Sequence, residues 1–133
     1  MLADSAARAA ATRWRARPRW RRLRKCSGWT HRRDEKIGEK LRERAMQWQK
    51  KHPMVGDVRG LGAMMAVEFV KDRKTKEPAK EFNVGLIKRC VENGVILIYA
   101  GTHSNILRYL VPLVITDEQL DEGLDVIECQ LAA

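Results

Sequence analysis

The sequence predicts an α+β fold: a small, largely antiparallel sheet with helices packed on it. Three observations carry this expectation. Segments with helical apolar spacing alternate with pairs of short β-rich segments, in the order helix, strand, strand, helix, strand, strand, helix. Glycines at 60 and 62 punctuate the first strand pair as a tight turn or bulge would. The 133 residues suit one domain, large enough to bury a core without staples.

The first 33 residues stand apart. They hold ten Arg and one Lys against a single acid, Asp4, whereas residues 34–133 hold 15 basic and 16 acidic side chains. Three of the four Trp (Trp14, Trp20, Trp29) lie in the same segment. A shift this sharp places a boundary near residues 30–35 and gives two parts, 1–33 and 34–133. Charge repulsion along Arg13–Lys25 and the break at Pro18 predict disorder for the first part. Three readings of it compete. An Arg- and Trp-rich arm binds nucleic acid by phosphate neutralisation and stacking. An Arg- and Ala-rich, acid-poor start suits a mitochondrial transit peptide, against which stand the Trp residues and the missing amphipathic stripe. The third reading is non-native sequence, since Ala, Arg, Pro and Trp are what GC-rich DNA gives in a wrong frame. Possible codons for Trp29–Glu35, read one base later, give Gly-Leu-Ile-Glu-Glu-Met, a sensible helix start. The nucleotide sequence upstream decides whether a frameshift placed the segment there.

Asp34 to Lys51 reads as a packing helix with a solvated polar face. Ile37, Leu41, Arg44 or Ala45, and Trp48 recur at helical spacing and give one apolar face, with acids early, Lys late, and His52-Pro53 as the stop. Met54 to Val70 reads as a strand, a turn at Gly60-Leu61-Gly62, and a second strand over 63–70, with Glu68 facing solvent. Lys71–Glu77 is a charged loop. Pro78 opens a helix that runs to Glu92, with Phe82, Leu86, Ile87 and Cys90 on its inner side and Asn93-Gly94 as its stop. Val95–Tyr99 is expected to be a buried strand, and 100–104 a short loop with His103 at the surface. Thr116 and Gln119 form a capping box for a last helix, whose core stripe is Leu120, Leu124, Ile127 and Leu131.

The strand between that loop and that helix, Ser104–Ile115, is a nearly continuous apolar run with one cation in it, Arg108, and with Pro112 ending its regular pairing. A guanidinium in such a run pairs with an acid, snorkels to water, or waits for an anionic ligand. Read locally, both a structural ion pair and a carboxylate-binding Arg remain open.

The three Cys (Cys26, Cys90, Cys129) lack metal-ligand spacing and are odd in number, which reads as reduced thiols in a cytoplasmic protein. No apolar run is long enough to span a membrane, and no apolar h-region follows the start.

Three segments together resemble a known family. Val58–Phe69 (VRGLGAMMAVEF), Glu92–Leu97 (ENGVIL) and Gly101–Thr116 (GTHSNILRYLVPLVIT) are similar to the C-terminal small domain of class III pyridoxal-phosphate aminotransferases, of the 4-aminobutyrate type. Ile37–Arg44 (IGEKLRER) is like the helix before that domain. The resemblance implies the small domain of a fold-type I transferase, homodimeric when whole, that moves an amino group from an ω-amino acid to a 2-oxo acid. It implies Arg108 as the clamp on the substrate carboxylate, with Asn105 and Gly101 shaping the same wall. It also implies pyridoxal phosphate as cofactor, but the Schiff-base Lys, the acid facing the pyridine nitrogen and the phosphate-binding groups belong to the family's large domain. No Lys of the polar helix face (Lys36, Lys40, Lys50, Lys51) matches the catalytic one. The resemblance therefore implies a fragment without turnover of its own. The alternative is a non-catalytic binding protein with a basic nucleic-acid arm.

Overall fold

A computed structural model describes residues 20–132, with side chains from residue 31 onward. The chain divides into two compact units, Met1–His31 and Arg32–Ala133. The break at Pro18 and the indole of Trp14 lie outside the described residues, as do the side chains of Trp20, Cys26 and Trp29.

Helix α1 spans Trp20–Lys51. It begins earlier than the Asp34 start expected from the apolar stripe and takes in residues 20–33. Arg, Leu and Lys are good helix formers, and a helix nucleated by packing extends at little cost per residue. Ile37, Leu41 and Trp48 of the expected stripe are buried, and at its third step Ala45 is the buried residue while Arg44 turns to ion pairs with Asp125 and Glu128. Arg73, from the charged loop after β2, closes the C-terminal end by donating to the carbonyls of Gln49, His52 (3.0 Å) and Pro53 (3.1 Å). Helix ends leave such carbonyls unpaired, and a cation there also meets the negative end of the helix dipole.

Strands β1 (Val55–Leu61) and β2 (Met64–Phe69) form a hairpin closed by the Leu61–Met64 pair. The turn is Gly62-Ala63, one step later than Gly60-Leu61-Gly62, because Gly60 and Leu61 still pair with β2. Gly62 has φ +55°, and a Cβ there would strike the Asp34 carboxylate. That carboxylate accepts a 2.7 Å hydrogen bond from the Ala63 amide, so the turn is tied to α1.

Helix α2 spans Lys80–Glu92. Pro78 does not open it; Pro78 bridges to Val70, and Ala79 takes the N-cap position. At the other end Asn93-Gly94 stops it as expected, with Gly94 at φ +85°. Strand β3 is only Ile98–Ala100, and β4 is Ile106–Leu110. The expected buried strand over 95–99 is therefore corrected. β3 is an edge strand paired on one side only, with Ile98 50% and Tyr99 55% exposed, and Ile96 lies before it outside any strand at 86% exposure. Only Val95 and Leu97 pack toward the core. Helix α3 spans Asp117–Ala132 and starts in the expected capping box: the Gln119 amide donates to Thr116 Oγ1 (3.2 Å), and Gln119 Oε1 accepts from the Thr116 amide (3.1 Å). All four residues of its expected stripe are buried.

The sheet is fully antiparallel, in the order β1-β2-β4-β3. The three helices of the described residues share one core with its inner face, through Val55, Met65, Val67, Phe69, Leu107 and Tyr109. The polar face of α1 is more than solvated. Its cations pair with acids spaced along α3: Arg33 with Asp117 (2.7 Å), Lys40 with Asp121 (2.6 Å), and Arg44 with Asp125 (2.5 Å) and Glu128 (2.7 Å). Lys51 completes the ladder on Glu128 at 2.6 Å. These partly exposed pairs align two helices whose attraction comes from the buried stripe between them.

Candidate functional site

Period-two alternation gives the sheet a second face, turned away from the helices. Register assigns its residues. One row across the strands is Asp57, Glu68, Ile106 and Ala100; the next is Arg59, Ala66, Arg108 and Ile98. Leu61, Met64 and Leu110 make a third row, at 87%, 56% and 53% exposure. None of these residues is buried. A charged centre thus sits beside an apolar margin on one open surface.

Arg108 is in the middle of this face. The small side chain of Ala66 stands opposite it on β2, and Ile98 opposite it on β3. Its nearest polar contact is Nη2 to Met64 Sδ at 3.6 Å, a weak acceptor. Among the described residues no carboxylate pairs with it, so the structural-ion-pair reading finds no partner here. Arg59, two strands away in the same row, is the opposite case. Its Nη1 donates to Glu68 Oε2 at 2.6 Å and to Asp57 Oδ2 at 2.7 Å. Glu68 first and Asp57 second hold this guanidinium above its ordinary pKa.

The other two expected site residues lie in the lead-in to β4. Gly101 has φ +82°, which a side chain would strain, and an added Cβ would press on Ile106. Asn105 is 3% exposed and already engaged. Its Nδ2 donates to the Phe69 carbonyl (3.0 Å) and lies 3.4 Å from Glu68 Oε1, while its own carbonyl accepts from the Phe69 amide (2.8 Å). Gly101 and Asn105 adjoin each other and flank the start of the strand that carries Arg108. Both touch the neighbours of Arg108, and no hydrogen bond joins either to it.

Asn83, on α2, was not singled out from the sequence. It is fully buried, and its Nδ2 donates to the Ser104 carbonyl at 2.9 Å. Ser104 is a non-glycine residue at φ +53°, a conformation worth holding only where something fixes it. A polar residue inside the Phe82–Leu86–Cys90 stripe was the available signal, since a buried amide needs a partner.

Cofactor chemistry has little to stand on in these residues. The buried polar side chains among the described residues are Asn83 and Asn105, so no Lys and no carboxylate is enclosed. Among them no group of His, Cys, Asp and Glu is placed to hold a metal ion. Cys90 and Tyr109 face the core, and burial raises both pKa values. Pyridoxal phosphate therefore does not fit the described residues, which lack the enclosed Lys it needs. What the open face offers is a planar cation, unpaired among the described residues, whose geometry suits bidentate carboxylate binding.

Comparison with known proteins gives a consistent picture. The pattern of the class-III aminotransferases matches residues 27–131, which takes in the last residues of the basic segment. A probable 4-aminobutyrate aminotransferase of Bacillus subtilis is 44% identical over 101 residues, covering 76% of this chain and 23% of that protein. The 4-aminobutyrate aminotransferase GabT of Escherichia coli is 41% identical over 91 residues, covering 68% and 21%. Among solved structures, a Bacillus anthracis aminotransferase superposes with a TM-score of 0.69 at 30% identity, over 75% of this chain and 23% of that one. The chain spans about a quarter of the length of the curated relatives it matches.

Proposed function

The chain belongs to the class III aminotransferase family, and we propose that residues 34–133 act as the substrate-closing small domain of such an enzyme, with Arg108 as its carboxylate clamp. The observation that carries this reading is the unpaired guanidinium of Arg108 at the centre of an open, partly apolar sheet face. A carboxylate that meets a free Arg gains charge-assisted hydrogen bonds without first breaking an existing pair. Closure of that face against another surface excludes water and strengthens the pairing. Asn105 and Gly101 shape the wall by fixing where β4 begins.

The substrate class proposed is a 4-aminobutyrate-like ω-amino acid exchanging with a 2-oxo acid. The reading rests on the similarity to 4-aminobutyrate aminotransferases and on the simple carboxylate chemistry of Arg108. Pyridoxal phosphate, which supplies the amino-transfer chemistry when bound, is proposed to be held by a large domain outside the described residues. The working assembly is proposed to be a cytoplasmic homodimer of whole enzymes. Among the described residues no helix is long and apolar enough to cross a membrane.

The test is a chimaera in which residues 32–133 replace the matching segment of the Bacillus subtilis relative. Arg108→Ala in that background should lower kcat/KM for 4-aminobutyrate by about 10²-fold or more, the usual cost of removing one partner of a desolvated charge pair. An active chimaera whose kcat/KM ignores Arg108→Ala refutes the clamp. A purified chain that turns over 4-aminobutyrate by itself with pyridoxal phosphate refutes the small-domain role.

A further inference from the structure

Glu68 is the carboxylate best placed to compete for Arg108. It lies on β2 opposite Ile106, one diagonal step from Arg108 on the same open face. Diagonal neighbours in an antiparallel pair have Cβ atoms roughly 7–8 Å apart, within reach of a Glu and an Arg side chain. A free Glu68 would swing to Arg108 and fill the clamp from within. The structure shows it held elsewhere, by both of its oxygens. Oε2 accepts from Arg59 Nη1 at 2.6 Å, and Oε1 lies 3.4 Å from Asn105 Nδ2.

We propose that Arg59 and Asn105 park Glu68 away from Arg108, keeping the Arg108 guanidinium unpaired for an incoming carboxylate. Arg59 is suited to this because Asp57 fixes the same nitrogen at 2.7 Å, which orients its guanidinium over Glu68. Asn105 is suited because its amide is anchored to the Phe69 carbonyl at 3.0 Å and cannot follow Glu68 if that side chain leaves. Ala66 completes the arrangement. It separates the two cations within one row, and its methyl group leaves the space above β2 open for a ligand. Arg59 and Asn105 are thus positioning residues that act through Glu68. The consequence for substrate binding rests on the reading of Arg108 as the clamp; the parking itself does not.

The test uses the full chain and phenylglyoxal, which modifies unpaired, exposed Arg faster than ion-paired Arg, with the rate at Arg108 followed by peptide mass spectrometry. Arg59→Met frees Glu68 and should slow modification of Arg108 by about threefold, the scale of occupancy an exposed ion pair supports. Adding Glu68→Gln to Arg59→Met should restore the wild-type rate, a rescue that a merely structural role for Arg59 would not give. Glu68→Gln alone, nearly isosteric and safe for folding, should leave Arg108 unchanged. A faster Arg108 in Glu68→Gln shows that Glu68 already pairs with it and overturns the proposal. An unchanged rate in folded Arg59→Met, or failure of the double variant to recover, also overturns it. Protection of Arg108 by 4-aminobutyrate, measured in the same assay, tests the clamp separately.

Discussion

Replacing Asn83 by Ala removes a side chain whose hydrogen bond links α2 to the lead-in of β4. In the folded chain its Nδ2 donates to the Ser104 carbonyl at 2.9 Å, and the residue has no measurable exposure. Losing that donor strands a carbonyl at a cost of about 1–3 kcal/mol. A second contribution opposes the first. Asn83 Oδ1 is buried without a partner, so the substitution also removes a desolvated acceptor worth roughly 1 kcal/mol. Ser104 at φ +53° adds a third effect, because a left-handed residue stores about 1 kcal/mol that its carbonyl bond helps to hold. The net expectation is a loss of about 1–2 kcal/mol, a sizeable share of a marginal total. Urea unfolding should show a lower midpoint with an unchanged slope. Amide exchange at Asn105 and Ile106 should rise more than in the α1–α3 core. A midpoint equal to or above wild type would mean that the orphaned Oδ1 dominates and that the amide is no strap. Asn83→Asp sharpens the test through its sign. A buried, unpaired carboxylate favours its protonated form, which can still donate to Ser104. Its folded pKa is therefore raised, and stability relative to wild type should be lost as pH rises above the ordinary Asp range.

Three further outcomes follow from the same structure. Lys51, together with Arg44, holds Glu128 down to about 2, so its stabilising effect is complete above its ordinary value of 4.5 and is lost as pH falls toward about 2. Thermal melts across that window should flatten in Glu128→Gln, and an unaltered acid slope would deny the ladder its role. Gly123 in α3 has no left-handed backbone, and a methyl group added to its Cα would meet nothing within 4 Å, so Gly123→Ala should stabilise the chain by about 0.5–1 kcal/mol in denaturant unfolding. A destabilised variant would show that the surrounding cleft is filled. Cys90 is buried with its thiol pKa raised, whereas Cys129 is exposed. Native iodoacetamide labelling should reach Cys129 and spare Cys90 until the chain is unfolded, and equal rates would contradict the packing of α2.

Elements set by strong local chemistry were legible from sequence. The stripe Ile37–Leu41–Trp48, the capping box at Thr116 and the stop at Asn93-Gly94 each follow from residues a few positions apart. What the sequence hid depends on pairing across the fold. Val95–Tyr99 has the composition of a buried strand, but burial is decided by having a neighbour on both sides, and β3 has only β4. Helix α1 continues back to Trp20 because helix propagation asks less of a segment than an apolar period does. The α1–α3 ion ladder was half visible, as acids at 117, 121, 125 and 128, but its partners lie far away in sequence.

The candidate site shows the same division more sharply. Arg108 stands out because a cation inside an apolar run is anomalous. Yet whether it is paired could not be read locally, since Glu68, diagonal to it on the open face, and Arg59, which Glu68 pairs with, lie on other strands. Alternation alone makes Glu68 an ordinary outward residue, and in burial it is one. Its importance comes from register. Glu68 stands opposite both Asp57 and Ile106, which places it one step from each guanidinium. A shift of either pairing by one residue would turn Glu68 or Arg108 toward the core, where neither charge could stay. The hairpin turn tied to Asp34 and the strap from Asn83 fix these two registers from the helix side. The helices therefore do more than cover the sheet: through these two bonds they anchor the ends of β2 and β4, the strands whose register sets Arg59 beside Glu68 and leaves Arg108 without a carboxylate among the described residues.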